Sequence, residues 1–287
     1  MDFGGIFGDD KSNTLEPIAS AIPASVPNSY IFNSTTNSDQ SLLLELTYPL
    51  VLKPNNGYRG TNVAIIHDKA SAVKYLETHS QQTTLLQEYI AGEEFGVFYI
   101  KPPEHEKGFI YSIVNKKFPS VTGDGVSTLE TLILQDARAV MMAPTFLEKH
   151  SKQLNRILAK GEVFQLVDVG SHCRGALFLD ANEYISEKLS KSIEQLAKAI
   201  PEFHFGRFDI RVDTIDSFRR GENIKVLEVN GVTAEAAHIY DPKNSLFDAY
   251  KVMFKQWEWA FKIGKANKER GFKPIRLKKI LTRWLQA

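Results

Sequence analysis

Two short apolar runs separated by a polar turn hold the residues of this chain best suited to chemistry. In Gly206-Arg207-Phe208-Asp209-Ile210-Arg211-Val212-Asp213, strand alternation sends Arg207, Asp209, Arg211 and Asp213 to one face and Phe208, Ile210 and Val212 to the other. Residues 216–223 are rich in strand-ending types, and 224–229 resume an apolar, β-branched run, so a hairpin is expected. Pairing the two strands lets Glu228 and Asn230, which share a face, lie opposite Asp209. Asp, Glu and Asn together form a hard oxygen-donor set suited to magnesium or manganese. The bland alternative is a solvated hairpin edge, since most charged residues are exposed. Against it, Glu228 is a lone acid in a strand that otherwise reads as core.

The elements that must position these residues come from a chain long enough for one large domain or two lobes, with 287 residues and 43% hydrophobic content. A net charge of +1, with both signs mixed along the chain, gives no general reason to expect nucleic acid or an acidic partner. The single cysteine, Cys173, excludes an internal disulfide framework and a thiolate metal cluster, which makes a reducing cytoplasm the expected location. No run approaches the roughly 20 apolar residues that span a bilayer, and the opening MDFGGIFGDD lacks the plan of a signal peptide. Residues 1–10 read as a lead-in, either a frayed terminus or the end of a larger preceding region.

From Tyr48 the chain reads as a buried strand ending at Lys53-Pro54, a glycine-punctuated loop over 56–62, and a second strand. Such a loop can fold its N–H groups over phosphates while Lys53 supplies a point charge, although Asn-Asn-Gly more often marks a plain hairpin. Asp68 then opens an amphipathic helix over 69–78, and 85–90 form the strand LLQEYI, followed by Ala-Gly-Glu-Glu. Strands at 95–100 and 108–114 precede the loop VTGDGVST and a helix over 129–134. Residues 186–200 form an amphipathic helix with Leu189, Ile193, Leu196 and Ala197 on one face.

Taken in order, Lys53, the glycine loop, Gln87-Glu88-Tyr89-Ile90, Gly206-Arg207-Phe208-Asp209 and Leu227-Glu228-Val229-Asn230 resemble the ATP-grasp superfamily. The similarity is to its carboxylate–amine ligase branch, which includes D-alanine:D-alanine ligase and cyanophycin synthetase. It implies an α+β, two-lobed fold with nucleotide clamped between a phosphate-covering lobe at 11–96 and a metal-binding lobe at 97–265. It also implies phosphate contacts from Lys11, Lys53 and the loop residues Gly57, Arg59 and Gly60. Residues Gln87, Glu88, Tyr89 and Ile90 would lie at adenine and Glu94 at ribose. Lys117, or its neighbour Lys116, would face phosphate beside the Gly-Asp-Gly loop.

The same resemblance makes Asp209, Glu228 and Asn230 ligands of Mg2+ or Mn2+ and Arg207 the group that stabilises an acyl phosphate. The implied activity is ATP-dependent amide formation from small-molecule carboxylate and amine substrates. A kinase with a stable phosphorylated product, or a nucleotide-binding regulator without turnover, are the alternatives. D-alanine ligases follow the metal asparagine with Pro-Gly, whereas here Gly231 to Glu235 lacks that proline, so Glu235 is a candidate for recognising an amine. His172 and Arg174, in a loop that lies beside the acceptor in related ligases, are further candidates for substrate contact. Cys–His catalysis would need a base and an orienting group that the sequence does not identify.

Toward the C-terminus, Met253, Phe254, Trp257 and Phe261 recur at helical spacing, and this stripe is expected to pack back on the core while Trp259 falls off it. The basic, amphipathic segment at 266–287 is expected to pack on this protein or a partner, with an anionic membrane surface as the alternative.

Overall fold

The computed structural model describes residues 2–6, 10–33, 42–57, 60–168, 170 and 175–286. Its contacts divide the chain into one compact unit of residues 1–115 with 179–287 and a second of residues 116–178. Residue 96 lies inside a strand, and residues 97–115 belong to the same unit as 11–96.

The first unit opens with α1 (Lys11–Ala21), β1 (Ser29–Phe32) and α2 (Leu42–Glu45). The chain continues through β2 (Leu50–Pro54), β3 (Ala64–Ile66), α3 (Lys69–Thr78), β4 (Thr84–Glu88), β5 (Glu93–Ile100) and β6 (Phe109–Lys117). Strands β1, β4, β2 and β3 form an antiparallel sheet in that order, closed over by α3 through Ala72, Tyr75 and Leu76. Helix α3 begins at the expected aspartate because the Asp68 carboxylate accepts the Ser71 N–H at 2.8 Å, satisfying one of the donors that every helix start leaves open.

The second unit contains β7 (Ser120–Thr122), α4 (Leu129–Gln135), α5 (Ala143–Lys149) and β8 (Val163–Gln165), with β7 and β8 paired antiparallel. Its core gathers Leu129, Ile133, Phe146, Leu158 and Leu166. Asp124 of the Gly-Asp-Gly loop turns its carboxylate inward on the loop itself, accepting from the Val126 and Ser127 N–H groups and the Ser127 hydroxyl. Those bonds pull its carboxyl down to about 2.

After β9 (Leu177–Asp180) the first unit resumes with α6 (Glu187–Ala199), β10 (Phe205–Val212), α7 (Ile215–Arg220), β11 (Lys225–Asn230), α8 (Leu246–Glu269) and α9 (Leu277–Gln286). A second sheet runs in the order β11, β10, β5, β6, β9. Helix α6 buries the expected Leu189, Ile193, Leu196 and Ala197; full burial of each leucine or isoleucine side chain contributes about 1.5–3 kcal/mol. They pack with Phe95, Val97, Phe208 and Ile210, the apolar side of β5 and β10. This leaves the opposite side of β10 to its polar residues.

Two expectations are corrected. The link between β10 and β11 is not a simple turn, because Thr214 caps a short helix by accepting the Ser217 N–H, and Gly221 ends it in the left-handed region at φ 68°. On α8 the packing side is the reverse of the one expected. Gln256, Ile263 and Trp259 face the protein, with the Trp259 ring edge-on to Phe109 at 5.6 Å, while Phe254, Trp257 and Phe261 are exposed. Both stripes have helical spacing, so periodicity alone cannot choose between them. Leu277 and Leu281 of α9 are also exposed.

Candidate active site

The register of β10 against β11 sets Asp209 opposite Glu228, as expected, while Asn230 lies opposite Arg207 and not Asp209. It then slips, with Ile210 opposite Val226, so Leu227 is an extra residue on β11, a β-bulge. Two carboxylates directly across an antiparallel pair repel each other. Cations from three elements answer them. Arg207 donates through Nε and Nη2 to the two Asp209 oxygens, at 2.7 and 3.1 Å. Lys11, in the first turn of α1, places Nζ 3.6 Å from the Glu228 carboxylate and donates to the Gly57 carbonyl at 3.0 Å. Lys53, near the end of β2, donates to the carbonyl of the bulged Leu227 at 3.1 Å and to Gln87 Oε1 at 2.9 Å.

The bulge turns a β11 carbonyl toward Lys53, and this bond ties the first sheet to the second. Burial pulls the Lys53 ammonium down to about 8 against the opposing pull of the Glu228 carboxylate. Burial also works against Arg207, but the charge and hydrogen bonds of Asp209, together with the Glu228 and Glu235 carboxylates, outweigh it and leave the guanidinium raised. Asn230 Nδ2 donates to Asp209 Oδ2 at 3.3 Å, and a half-turn of that carboxamide presents its oxygen on the same side. Among the described residues no group of three or more His, Cys, Asp and Glu could hold a metal ion. Asp209 and Glu228 supply two carboxylates, and Asn230 completes a donor set whose hard chemistry fits Mg2+.

Gly96 of β5 lies opposite Asp209 and makes room for this cluster. A Cβ there would sit 2.8 Å from Val114 and 3.0 Å from Arg207 Cδ. Glu94, two residues earlier, is buried against Arg211, with 3.0 Å to Nη2 and 3.1 Å to Nε. Arg211 also donates to the Ile90 carbonyl at 2.5 Å, and its guanidinium lies 5.3 Å from the centre of the Tyr89 ring. The Gln87 main chain is inside the first sheet, between β1 and β2, and Glu88 accepts the Asn28 N–H. These contacts fix the 87–94 segment.

Beyond Asn230 the chain forms a loop held from two directions. The Gly4 carbonyl accepts the Val232 N–H at 2.8 Å, so the lead-in segment docks here. Buried Gln256 of α8 accepts the Ala236 N–H at 2.8 Å and donates to the Ala234 carbonyl at 3.0 Å. The carbonyl of Glu235, between them, faces Arg207 Nη1 at 3.5 Å. Of the other expected site residues, Gly60 takes φ 70°, and Lys117 ends β6 in the second unit. Arg59, His172 and Arg174 lie outside the described residues.

Three contributors escaped the sequence reading. Gly96 had a signal, because glycine inside an apolar strand marks a close approach. Arg211 had only its place on the polar face. Gln256 had none, being one of many polar residues along α8.

The backbone arrangement matches solved structures. The chain aligns with D-alanine–D-alanine ligase from Bacillus anthracis over 91% of its own length and 68% of the ligase, at 16% identity and a TM-score of 0.50. The chain has the ATP-grasp fold. The chain also aligns with a bifunctional glutathione synthetase from Pasteurella multocida (17% identity, 86% of this chain, 36% of the synthetase, TM-score 0.44) and an L-amino acid ligase from Bacillus licheniformis (14%, 79% and 41%, TM-score 0.42). The chain therefore spans little more than a third of the synthetase's length. No protein-family model and no curated protein sequence matches it.

Proposed function

We propose that this ATP-grasp chain is an ATP-dependent carboxylate–amine ligase. The observation that carries the reading is the meeting of Lys11 and Lys53, from the N-terminal helix and the first sheet, with Glu228 and its bulged neighbour Leu227, beside the Arg207–Asp209–Asn230 group. A purely structural role would bury these charges at considerable desolvation cost without return.

In the proposed reaction a substrate carboxylate oxygen attacks the γ-phosphorus of ATP and ADP leaves. The amine then attacks the acyl-phosphate carbon, phosphate departs with the bonding pair, and the amine loses a proton to give the amide. Lys53 and Lys11 hold phosphate oxygens, and residues 87–94 flank the nucleotide base and ribose. Arg207, which already spans from Asp209 to the 231–236 loop, stabilises charge on the acyl phosphate. Asp209, Glu228 and Asn230 would hold Mg2+, which when bound neutralises charge on the transferring phosphoryl group. The lobes at 11–96 and 97–265 remain the proposed phosphate-covering and metal-bearing parts. Glu235 and the loop around it are the proposed acceptor side, which leaves both substrates to be found by chemistry.

The test is ADP release with pooled small carboxylates and amines, followed by mass. ADP should appear only with both classes present, or with hydroxylamine giving a hydroxamate, and Asp209→Asn should lower turnover by about 100-fold or more. A phosphorylated product that needs no amine would instead mean a kinase, and no turnover with any pool would mean a binding protein.

A further inference from the structure

The charge of this chain is divided unevenly. Residues 246–287 contain eleven Lys and Arg against three Asp and Glu, a net charge of +8. Because the whole chain carries +1, the preceding residues carry −7. The large exposed apolar side chains concentrate in the same place. Along α8, Leu246, Phe247, Tyr250, Phe254, Trp257 and Phe261 are all at least half exposed, and Phe247, Phe254 and Phe261 reach 78%, 74% and 73%.

From Phe247 to Phe261 these residues recur every three or four positions, so they form one stripe about 21 Å long, on the side of α8 away from buried Gln256 and Ile263. Lys251, Lys255 and Lys262 follow the same helical spacing along one flank. Lys255 and Lys262 lie over the Trp259 ring at 5.8 and 5.2 Å and share Glu258, so their stems are held beside the stripe. Helix α9 repeats the composition, with exposed Leu277 and Leu281 among Arg276, Lys278 and Lys279.

A contiguous exposed apolar stripe rimmed by charge marks an interaction surface. A second copy is a poor cover, because it would bring two segments of +8 face to face. Among the described residues no helix is long and apolar enough to cross a membrane. We propose that α8 and α9 dock this protein on an anionic lipid surface, with the aromatic stripe entering the headgroup boundary and the lysines meeting lipid phosphates and carboxylates. The inference is independent of the reaction assigned to the site. It places that site next to a membrane, because Gln256, on the inner side of the same helix, holds the 231–236 loop.

The experiment is sedimentation of the full chain with vesicles of phosphatidylcholine alone and of phosphatidylcholine mixed with phosphatidylserine. Partitioning onto the mixed vesicles should be at least about tenfold greater and should fall at high salt. The double substitution F254S/F261S changes only exposed side chains, so it should keep the melting temperature and lose about tenfold in partitioning. K278E/K279E should weaken binding to the anionic vesicles alone. Equal behaviour on both vesicle types, no sedimentation, retention by single-stranded DNA without vesicle binding, or a stable dimer that hides the stripe would each overturn the proposal.

Discussion

Two of the lysine–glutamate clusters among the described residues are built from the same residue types in opposite surroundings. On α8, Glu258 meets Lys255 at 2.9 Å and Lys262 at 2.6 Å, with all three side chains about half exposed. At the site, Lys11 stands 3.6 Å from Glu228, and Lys53 is buried nearby. The surface distances are shorter, yet such pairs contribute little, because water and salt screen them and both side chains give up freedom. Glu258 responds only locally, its carboxyl pulled to about 2 by hydrogen bonds from Lys262 and Lys255. In the buried cluster, desolvation dominates and brings Lys53 down to about 8. The cost of the surroundings, more than the separation of the charges, therefore distinguishes the two clusters.

The sharpest way to break this comparison is Lys53→Met. It removes a buried charge while filling similar volume, so turnover should fall about 100-fold. The melting temperature should move by no more than about 5 °C, since losing the desolvation cost offsets the lost bonds to Gln87 and Leu227. Parallel ADP-release and thermal-melt assays check it, and unchanged turnover would make the buried cluster structural. Gly96→Ala probes the space around Arg207. The added methyl should displace the guanidinium, lower kcat about tenfold and cost about 1–3 kcal/mol of stability, read by kinetics and denaturant titration.

His238 extends the comparison to pH. Its ring is buried, and burial pulls its pKa below the usual 6.5 despite the opposing carboxylates of Asp180 and Asp241. The unfolded chain therefore takes up this proton first, so stability present above 6.5 is lost as pH falls through the lowered folded value. His238→Gln should flatten the decline in melting temperature between neutral pH and about 5.5. Glu258→Gln should give the smallest effect, with no resolvable change in melting temperature and no change in turnover.

How far the site was legible follows from which forces are local. Strand alternation put Arg207 and Asp209 on one face and Glu228 opposite, because side-chain direction in a strand depends only on neighbours in the chain. The caps at Asp68 and Ser186 set helix starts in the same way. The bulge at Leu227 has no local mark, and it is what turns a carbonyl toward Lys53. Arg211 finds Glu94 across 117 residues of sequence, and Gln256 finds the 234–236 backbone from another helix, both through tertiary packing. On α8, two stripes of equal period left the packing side undecided until the sheet surface selected Trp259 and Ile263 and the 234–236 loop selected Gln256.

The placement of tryptophan has an optical consequence. All three tryptophans, Trp257, Trp259 and Trp284, fall in α8 and α9, one half-exposed on the outer stripe and one against Phe109. The first sheet and β10–β11 contain none. Intrinsic emission of this protein therefore reports on its C-terminal helices, and no tryptophan lies on the strands that hold Lys53 and Arg207. Binding there is better followed by a fluorescent nucleotide analogue. Native emission is left as a separate channel for whatever touches α8.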